Sequence, residues 1–133
     1  MVVPSAARSL ITPTALPAPR FRYTPVVVAG GFAFVSGLVG LDAQTGALAE
    51  GGAYGQSRRI LANLRALCEE QGWRLEQLVA ARIYCADFAE FPEVNRAWEE
   101  CFDAVAPPAR TSVGVSALPL AARVEMEFQL VVG

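Results

Sequence analysis

The 133-residue chain contains no histidine and no lysine, so arginine supplies all 11 of its basic side chains. The absence of histidine excludes a Ser-His-Asp triad, a histidine general base and any histidine metal ligand. The absence of lysine excludes a Schiff-base lysine, a pyridoxal site and the lysine of a phosphate-binding P-loop. Any catalysis must therefore rely on arginine, carboxylates, hydroxyls, thiols or backbone groups.

Cysteine is also scarce, with three residues at Cys68, Cys85 and Cys101. They are widely spaced, odd in number and form no Cys-x-x-Cys pair, so the sequence predicts neither a zinc site nor a disulfide framework. Buried free thiols are typical of a reducing compartment, and we therefore expect a cytoplasmic protein. Residues 1–19 lack the apolar run of a signal peptide, and no later segment reaches the length of a membrane span, so no membrane partner is expected.

Acidic residues are absent before Asp42, and that stretch carries three arginines, Arg8, Arg20 and Arg22. All 13 acidic residues lie in the remainder, and the net charge is −2. This balance argues against nucleic acid as a general partner. Clustered prolines predict a proline-rich N-terminal arm over residues 1–20, and the absence of a later linker predicts one domain over residues 21–133.

Hydrophobic periodicity divides residues 21–133 into seven elements in the order β-β-α-β-α-β-β. The predicted strands cover residues 21–28, 32–36, 78–86, 112–117 and 123–130, and the two predicted helices carry the apolar stripes Ile60, Leu61, Leu64, Leu67, Cys68 and Val94, Ala97, Trp98, Cys101. Gly72 is expected to end the first helix, and Pro92 suits the first turn of the second. We expect an α+β fold with a mixed sheet and both helices packed on one face.

The arrangement of the strands leads to two further expectations. The nearly continuous apolar run at residues 78–86 predicts a strand covered on both faces. The last two strands can turn through residues 118–122 and pair as an antiparallel hairpin. Because the helices cover only one face of the sheet, oligomerisation is expected to cover the other, where the small residues Ser112, Gly114 and Ser116 would allow close approach. A solvated sheet face is the alternative.

The candidate site lies in the last third of the chain. By strand alternation, Arg110 shares a face with Ser112 and Gly114, and pairing of the last two strands would bring Glu125 and Glu127 to the matching side. A guanidinium grips a carboxylate through two parallel hydrogen bonds, and a nearby glutamate can orient water or move a proton. These residues therefore indicate a pocket for a small carboxylate, with a surface or interface Arg–Glu pair as the alternative.

Several sequence blocks then resemble one family. Residues 108–113 (PARTSV), 118–119 (LP) and 124–127 (VEME) are similar to the C-terminal signature of the RidA/YjgF family of reactive-intermediate deaminases. The resemblance extends to residues 34–37 (FVSG), 63–64 (NL) and 91–95 (FPEVN), and it spans residues 21–132. It implies a chorismate-mutase-like α+β protomer that assembles as a homotrimer with clefts between subunits.

The resemblance also implies an activity, which is hydrolysis of 2-imino and 2-enamino acids to 2-keto acids and ammonia without a metal or an organic cofactor. Arg110 matches the arginine that holds the substrate carboxylate, and Glu125 matches the acid that positions or activates water. The other positions of the substrate-binding cleft match Tyr23, Ser36, Gly37, Asn95 and Ser112. A protonated imine is already electrophilic, so this chemistry needs neither histidine nor lysine.

Departures from the family pattern leave other functions open. Leu38 replaces a common glutamine and predicts a more apolar cleft entrance, and Ser112 replaces a common cysteine. The first alternative is a non-catalytic trimer that binds small carboxylates and acts as a ligand-responsive or interaction protein. Endoribonuclease activity, described for some family members, ranks third because the chain is acidic and has neither histidine nor lysine.

Overall fold

The computed structural model describes residues 7–133, in which six strands form one mixed sheet against two α-helices. The strands are β1 (Ser9–Ile11), β2 (Val26–Ala29), β3 (Phe32–Val39), β4 (Leu78–Cys85), β5 (Ala109–Gly114) and β6 (Val124–Val131), and the helices are α1 (Gly52–Gln71) and α2 (Phe91–Cys101). The spatial order is β1-β2-β3-β6-β4-β5. Only β4 and β5 are parallel; the other neighbours are antiparallel. The α+β class and the mixed sheet are confirmed.

Both helices form where the apolar spacing predicts them. All nine stripe residues are buried, and they pack in one core cluster with the inward side chains of the sheet. Gly72 ends α1 in the left-handed conformation, with φ at 74°, and its N–H satisfies the last carbonyl groups of the helix. Pro92 occupies the first turn of α2, where no N–H is needed. The helices therefore cover one face of the sheet, as predicted.

The predicted hairpin between the last two strands is wrong. β5 runs parallel to β4 at the sheet edge, whereas β6 lies between β3 and β4. Val124, Met126, Phe128 and Leu130 of β6 are all buried, so a central place with neighbours on both sides buries the most apolar surface. The connection from β5 to β6 includes a 3-10 turn at Pro119–Ala121 and is too long for a tight hairpin.

The N-terminal segment is joined more closely to the domain than its composition indicates. β1 lies within the predicted arm and pairs with β2, with Leu10 opposite Val27. Leu16 is only 4% exposed and belongs to the core. Residues 1–6 of the predicted arm lie outside the described residues. The first strand expected at 21–28 starts only at Val26.

The sheet face opposite the helices is uncovered in a single chain. Its large apolar side chains Phe32, Phe34, Val113 and Val131 are between 40% and 42% exposed. β4 alternates buried and exposed residues and is therefore covered on one face, contrary to the expectation of two. Burial of this face by further copies stays a prediction. None of the helices in residues 7–133 is long and apolar enough to cross a membrane.

Candidate active site

The predicted site residues fall into two groups that lie on opposite faces of the sheet. Tyr23, Ser36, Gly37 and Glu125 line one cavity of about 320 Å³, which we call the glutamate cavity. Asn95 and Arg110 line a second recess where β5 meets α2. We call the set Phe91, Asn95, Trp98 and Arg110 the arginine cluster.

A β-bulge shapes the floor of the glutamate cavity. Val35 lies opposite Phe128 and Leu38 opposite Met126, so Ser36 and Gly37 together face one residue of β6. The Ser36 hydroxyl donates a hydrogen bond to the Thr24 carbonyl at 2.7 Å. This bond ties the bulge to the segment that precedes β2.

Gly37 provides the space for the Glu125 carboxylate. A Cβ atom at position 37 would lie 2.1 Å from the Glu125 Oε2 atom, which is far inside van der Waals contact. The Glu125 side chain therefore rests directly against the backbone of the bulge. A residue with a side chain at position 37 would have to push the carboxylate aside.

The surroundings of Glu125 raise its pKa above the ordinary carboxyl value. Burial raises the pKa of Glu125, and the neighbouring charge of Glu127 raises it further. Glu127 is itself engaged, because it accepts a 2.5 Å hydrogen bond from the Tyr84 hydroxyl and lies 3.9 Å from the Arg82 guanidinium. Within residues 7–133, no arginine forms an ion pair with Glu125. Glu125 is thus a half-buried carboxyl group that can exchange a proton.

In the arginine cluster, neighbours hold the Arg110 guanidinium in place without neutralising it. Its Nη1 donates a 2.8 Å hydrogen bond to the Asn95 Oδ1, and the Asn95 amide in turn donates to Glu99 at 3.0 Å. The guanidinium carbon lies 5.4 Å from the centre of the Phe91 ring and 5.1 Å from that of Trp98. In the part of the chain that the structure describes, Arg110 has no carboxylate partner. The carboxyl residues Glu99 and Asp103 line the same recess but form no ion pair with Arg110.

The sheet register shows which predicted groups share a face. Arg110 lies opposite Ala81 and Ser112 opposite Ile83, so the two side chains share a face, as their alternation predicts. That face is the helix-covered one, so the expectation that Ser112 lies on the uncovered face and allows close approach of another copy is wrong. Glu125 alternates with buried residues of β6 and is on the other face. The expectation that Glu125 projects on the same side as Arg110 is therefore wrong within one chain. The Ser112 hydroxyl is buried and has no hydrogen-bond partner in residues 7–133.

Other residues of the cavity wall carry no sequence signal. Pro17, Phe21 and Leu120 line the cavity, although the first precedes the predicted domain and the last lies in a connection. Leu38 borders the cavity too, but it is 9% exposed and belongs to the core. Pro17, Phe21 and Leu120 therefore form the apolar entrance predicted at Leu38. Residues 7–133 contain no group of histidine, cysteine, aspartate or glutamate side chains that could hold a metal ion.

Comparison with known proteins assigns the chain to a family. The family model described as "Endoribonuclease L-PSP" matches residues 13–132, nearly the whole chain. A "RutC family protein" of Aquifex aeolicus is 41% identical over 122 residues, which are 91% of this chain and 96% of the relative. The chain belongs to the RidA/YjgF family.

Two further relatives of this RidA-family chain connect it with a named activity and a solved fold. A "2-iminobutanoate/2-iminopropanoate deaminase" of Dermatophagoides farinae is 32% identical over 96% of the chain and 98% of the relative. The crystal structure of RidA from the Antarctic bacterium Psychrobacter sp. PAMC 21119 superimposes with a TM-score of 0.86 at 30% identity, covering 93% of this chain and 99% of that one. The fold and the family agree with the sequence resemblance.

Glu125 is expected to lower the stability of this RidA-family chain at neutral pH. The pKa of Glu125 is raised above its ordinary value of 4.5, so the folded chain holds this proton more tightly than the unfolded chain. The free energy of unfolding therefore falls as the pH rises from the ordinary value of 4.5 through the raised pKa of the folded chain. Glu125→Gln cannot ionise and should melt at a higher temperature than the wild type at about pH 7, but not at about pH 4.

Circular dichroism melting curves at both pH values check this expectation. Glu76→Gln, which removes an exposed carboxylate that lies outside the cavity and forms no ion pair in residues 7–133, is the matched control and should show no such difference. A lower melting temperature for Glu125→Gln at neutral pH would contradict it.

Proposed function

We propose that this chain hydrolyses 2-imino and 2-enamino acids to 2-keto acids and ammonia in a cleft between two copies. One observation carries the proposal: Arg110 and Glu125 both lack ionic partners in the described chain, yet they lie on opposite faces of one sheet. Only a second copy can bring an arginine cluster to a glutamate cavity. Membership of a family that includes a named imine deaminase supports this reaction class.

The proposed assembly is a ring of three copies. In a cyclic trimer each copy presents one surface to the next and a different surface to the previous one, so the β5 edge of one copy can meet the open sheet face of its neighbour. The exposed apolar side chains Phe32, Phe34 and Val113 of that face favour burial against protein. Each contact would then contain one complete site.

Within that cleft, each group has a defined role. The Arg110 guanidinium binds the substrate carboxylate through two hydrogen bonds, with Asn95 and the aromatic rings keeping its orientation. The Ser112 hydroxyl is buried and does not line the recess of Arg110, so it is assigned no role in binding the anion. This arrangement presents C2 of the iminium group to Glu125 and a water molecule.

The reaction then needs only water and one proton carrier. Water adds to C2 while Glu125 accepts one of its protons, and the electron pair of the C=N double bond moves to nitrogen. Glu125 returns the proton to the nitrogen of this carbinolamine. The C–N bond breaks as an oxygen electron pair forms the carbonyl, the ionised Glu125 accepts the hydroxyl proton, and nitrogen leaves as ammonia, which can then take that proton from Glu125. The raised pKa of Glu125 suits a group that both takes and returns a proton.

The test is keto-acid release from imino acids generated in solution by an amino-acid oxidase, with the molecular mass followed by light scattering. Release clearly faster than in buffer, from a trimer, is the expected result. Release no faster than buffer would overturn the deaminase proposal. In that case, saturable binding of 2-ketobutyrate would favour a non-catalytic carboxylate-binding protein, and cleavage of an RNA substrate would favour an endoribonuclease.

Gly37→Ala is expected to reduce turnover on the order of 10-fold, because a small displacement of a reacting group is costly. The added methyl group would displace the Glu125 carboxylate, which is the flexible end of a side chain, so the fold should tolerate it. Steady-state kinetics and a melting curve on the same sample separate the two effects. Unchanged turnover would show that the position of Glu125 does not matter.

A further inference from the structure

The glutamate cavity is much more apolar than the reaction itself requires. Besides Glu125, Tyr23 and Ser36, its lining is formed mainly by the apolar residues Pro17, Phe21, Val39, Leu41, Pro119 and Leu120. None of these can take part in proton transfer. Their common property is that they favour contact with hydrocarbon.

The size of the cavity exceeds that of the smallest substrates. A water molecule occupies about 30 Å³ in the liquid, so a cavity of about 320 Å³ has the volume of roughly ten waters. The imino acid derived from alanine has about six non-hydrogen atoms, those from leucine and phenylalanine about nine and twelve, and each such atom needs no more room than a water. The cavity of a single chain therefore has room for the larger molecules as well as for the smallest.

One group at the cavity wall carries a positive charge. The Arg20 guanidinium donates to the Gly46 carbonyl and forms no ion pair in residues 7–133, and the Ser36 hydroxyl donates to the Thr24 carbonyl. An acidic substrate side chain could pair with Arg20, so the wall does not disfavour it. The apolar residues therefore discriminate among uncharged side chains only.

Two anchored segments hold the apolar walls. Leu16 is buried in the core and fixes the segment that carries Pro17 and Phe21. On the other side, Leu120 and Ala121 adopt left-handed backbone conformations with φ of 61° and 55°, which are strained for residues with side chains. Such strain persists only where the surroundings impose it, and it is concentrated at ligand-contacting sites. Leu120 is therefore held at the cavity rather than placed there at random.

We propose that the glutamate cavity selects 2-imino acids with large apolar side chains, of isobutyl or benzyl size, over those with one or two carbons, and that Phe21 and Leu120 determine this specificity. The inference rests on the proposed function, since it concerns the substrate of the same site. The Arg110 clamp would hold the carboxylate shared by all these substrates, while the apolar walls distinguish their side chains.

Comparison of kcat/KM between substrates tests the proposal. Imino acids are generated from alanine, leucine, phenylalanine and glutamate, and kcat/KM is measured for each. We expect the leucine- or phenylalanine-derived substrate to exceed the alanine-derived one at least about 10-fold, because even one methylene group in an apolar pocket changes kcat/KM by that factor. Phe21→Ala should lower kcat/KM about 10-fold for the phenylalanine-derived substrate and change kcat/KM for the alanine-derived substrate by less than about twofold.

The variants are chosen so that the fold survives. Phe21 is 67% exposed, so its truncation leaves the core intact. Leu120→Gly removes the second wall residue while relieving its backbone strain, and it should shift selectivity in the same direction. Glu69→Ala, which truncates an exposed side chain of α1 on the helix layer and outside the cavity, is the matched control and should leave all four rates unchanged.

The outcomes separate the inference from the function on which it rests. Equal or better turnover of the alanine-derived substrate would overturn the selectivity and leave the deaminase proposal standing. Absence of turnover with every substrate would overturn the deaminase proposal. Titration with pyruvate, 4-methyl-2-oxopentanoate and phenylpyruvate then tests selectivity without catalysis, and binding of pyruvate as tight as that of the larger acids would overturn it.

Discussion

Replacement of Arg110 by alanine is expected to slow keto-acid release between roughly 30-fold and 4,000-fold. Truncation of one member of a hydrogen-bonded charge pair costs about 2–5 kcal/mol, and about 1.4 kcal/mol corresponds to a factor of ten. Arg110 is the group that Asn95, Phe91 and Trp98 orient, and in residues 7–133 it has no carboxylate of its own. The loss should therefore fall on substrate binding and on kcat/KM.

Two further arginine variants sharpen this prediction. Arg110→Lys keeps the charge but not the planar fork, so it should recover only part of the rate. Arg96→Ala removes an exposed arginine of α2 that pairs with Glu93, and it should retain wild-type turnover. The binding constant of 2-ketobutyrate, measured by calorimetry, should weaken in parallel with kcat/KM. Wild-type rates in Arg110→Ala would exclude the proposed clamp.

Replacement of Glu125 by glutamine is expected to reduce kcat by about 100-fold to 10,000-fold, the usual contribution of a positioned acid or base. Glutamine has nearly the same shape and cannot accept the proton of water. Binding of 2-ketobutyrate should therefore change little, in contrast to Arg110→Ala. Equal losses of binding and turnover in Glu125→Gln would assign this residue to the binding of the carboxylate instead.

The pH profile gives an independent check on Glu125. As the group that accepts a proton from water, it must be ionised, so kcat should rise with pH through the pKa of Glu125. Burial and the Glu127 charge raise this pKa, and the rising limb should lie above the range of an ordinary carboxylate. A rate that is independent of pH across this region would argue against Glu125 as the base.

Mixed oligomers test whether one site takes residues from two copies. Arg110→Ala and Glu125→Gln subunits are each expected to be strongly impaired, but a cleft with Glu125 from the first and Arg110 from the second would be intact. In a ring with random mixing, about a quarter of the clefts should be of this kind. Recovery of about that fraction of wild-type activity after co-refolding is expected, and no recovery in rings that contain both variants would overturn the shared cleft.

The sequence predicts the elements of this fold better than their arrangement. The apolar spacing of Ile60, Leu64 and Leu67 and the alternation along Val124–Val131 are local properties, and both are confirmed. Strand order depends on which strand would leave the most apolar surface exposed at an edge of the sheet. β5 carries small and polar residues and can lie at the edge, whereas β6 cannot, and this comparison overrides proximity along the chain.

The same difference explains which parts of the candidate site could be predicted. Arg110 and Ser112 share a face because they lie two residues apart in one strand, which alternation alone predicts. The face of Glu125 relative to Arg110 depends on the sheet order, and that part of the prediction is wrong. Phe21 and Leu120 meet the cavity through irregular segments, whose course has no periodicity to read.

The opposite orientation of Arg110 and Glu125 has a consequence for the protein in the cell. A newly made chain carries both reactive groups but cannot apply them to the same molecule. Under the proposed assembly, chemistry begins when copies meet, so specific activity follows protein concentration by mass action. The level of synthesis would then affect the total activity in two ways, through the number of chains and through the fraction of them that is assembled.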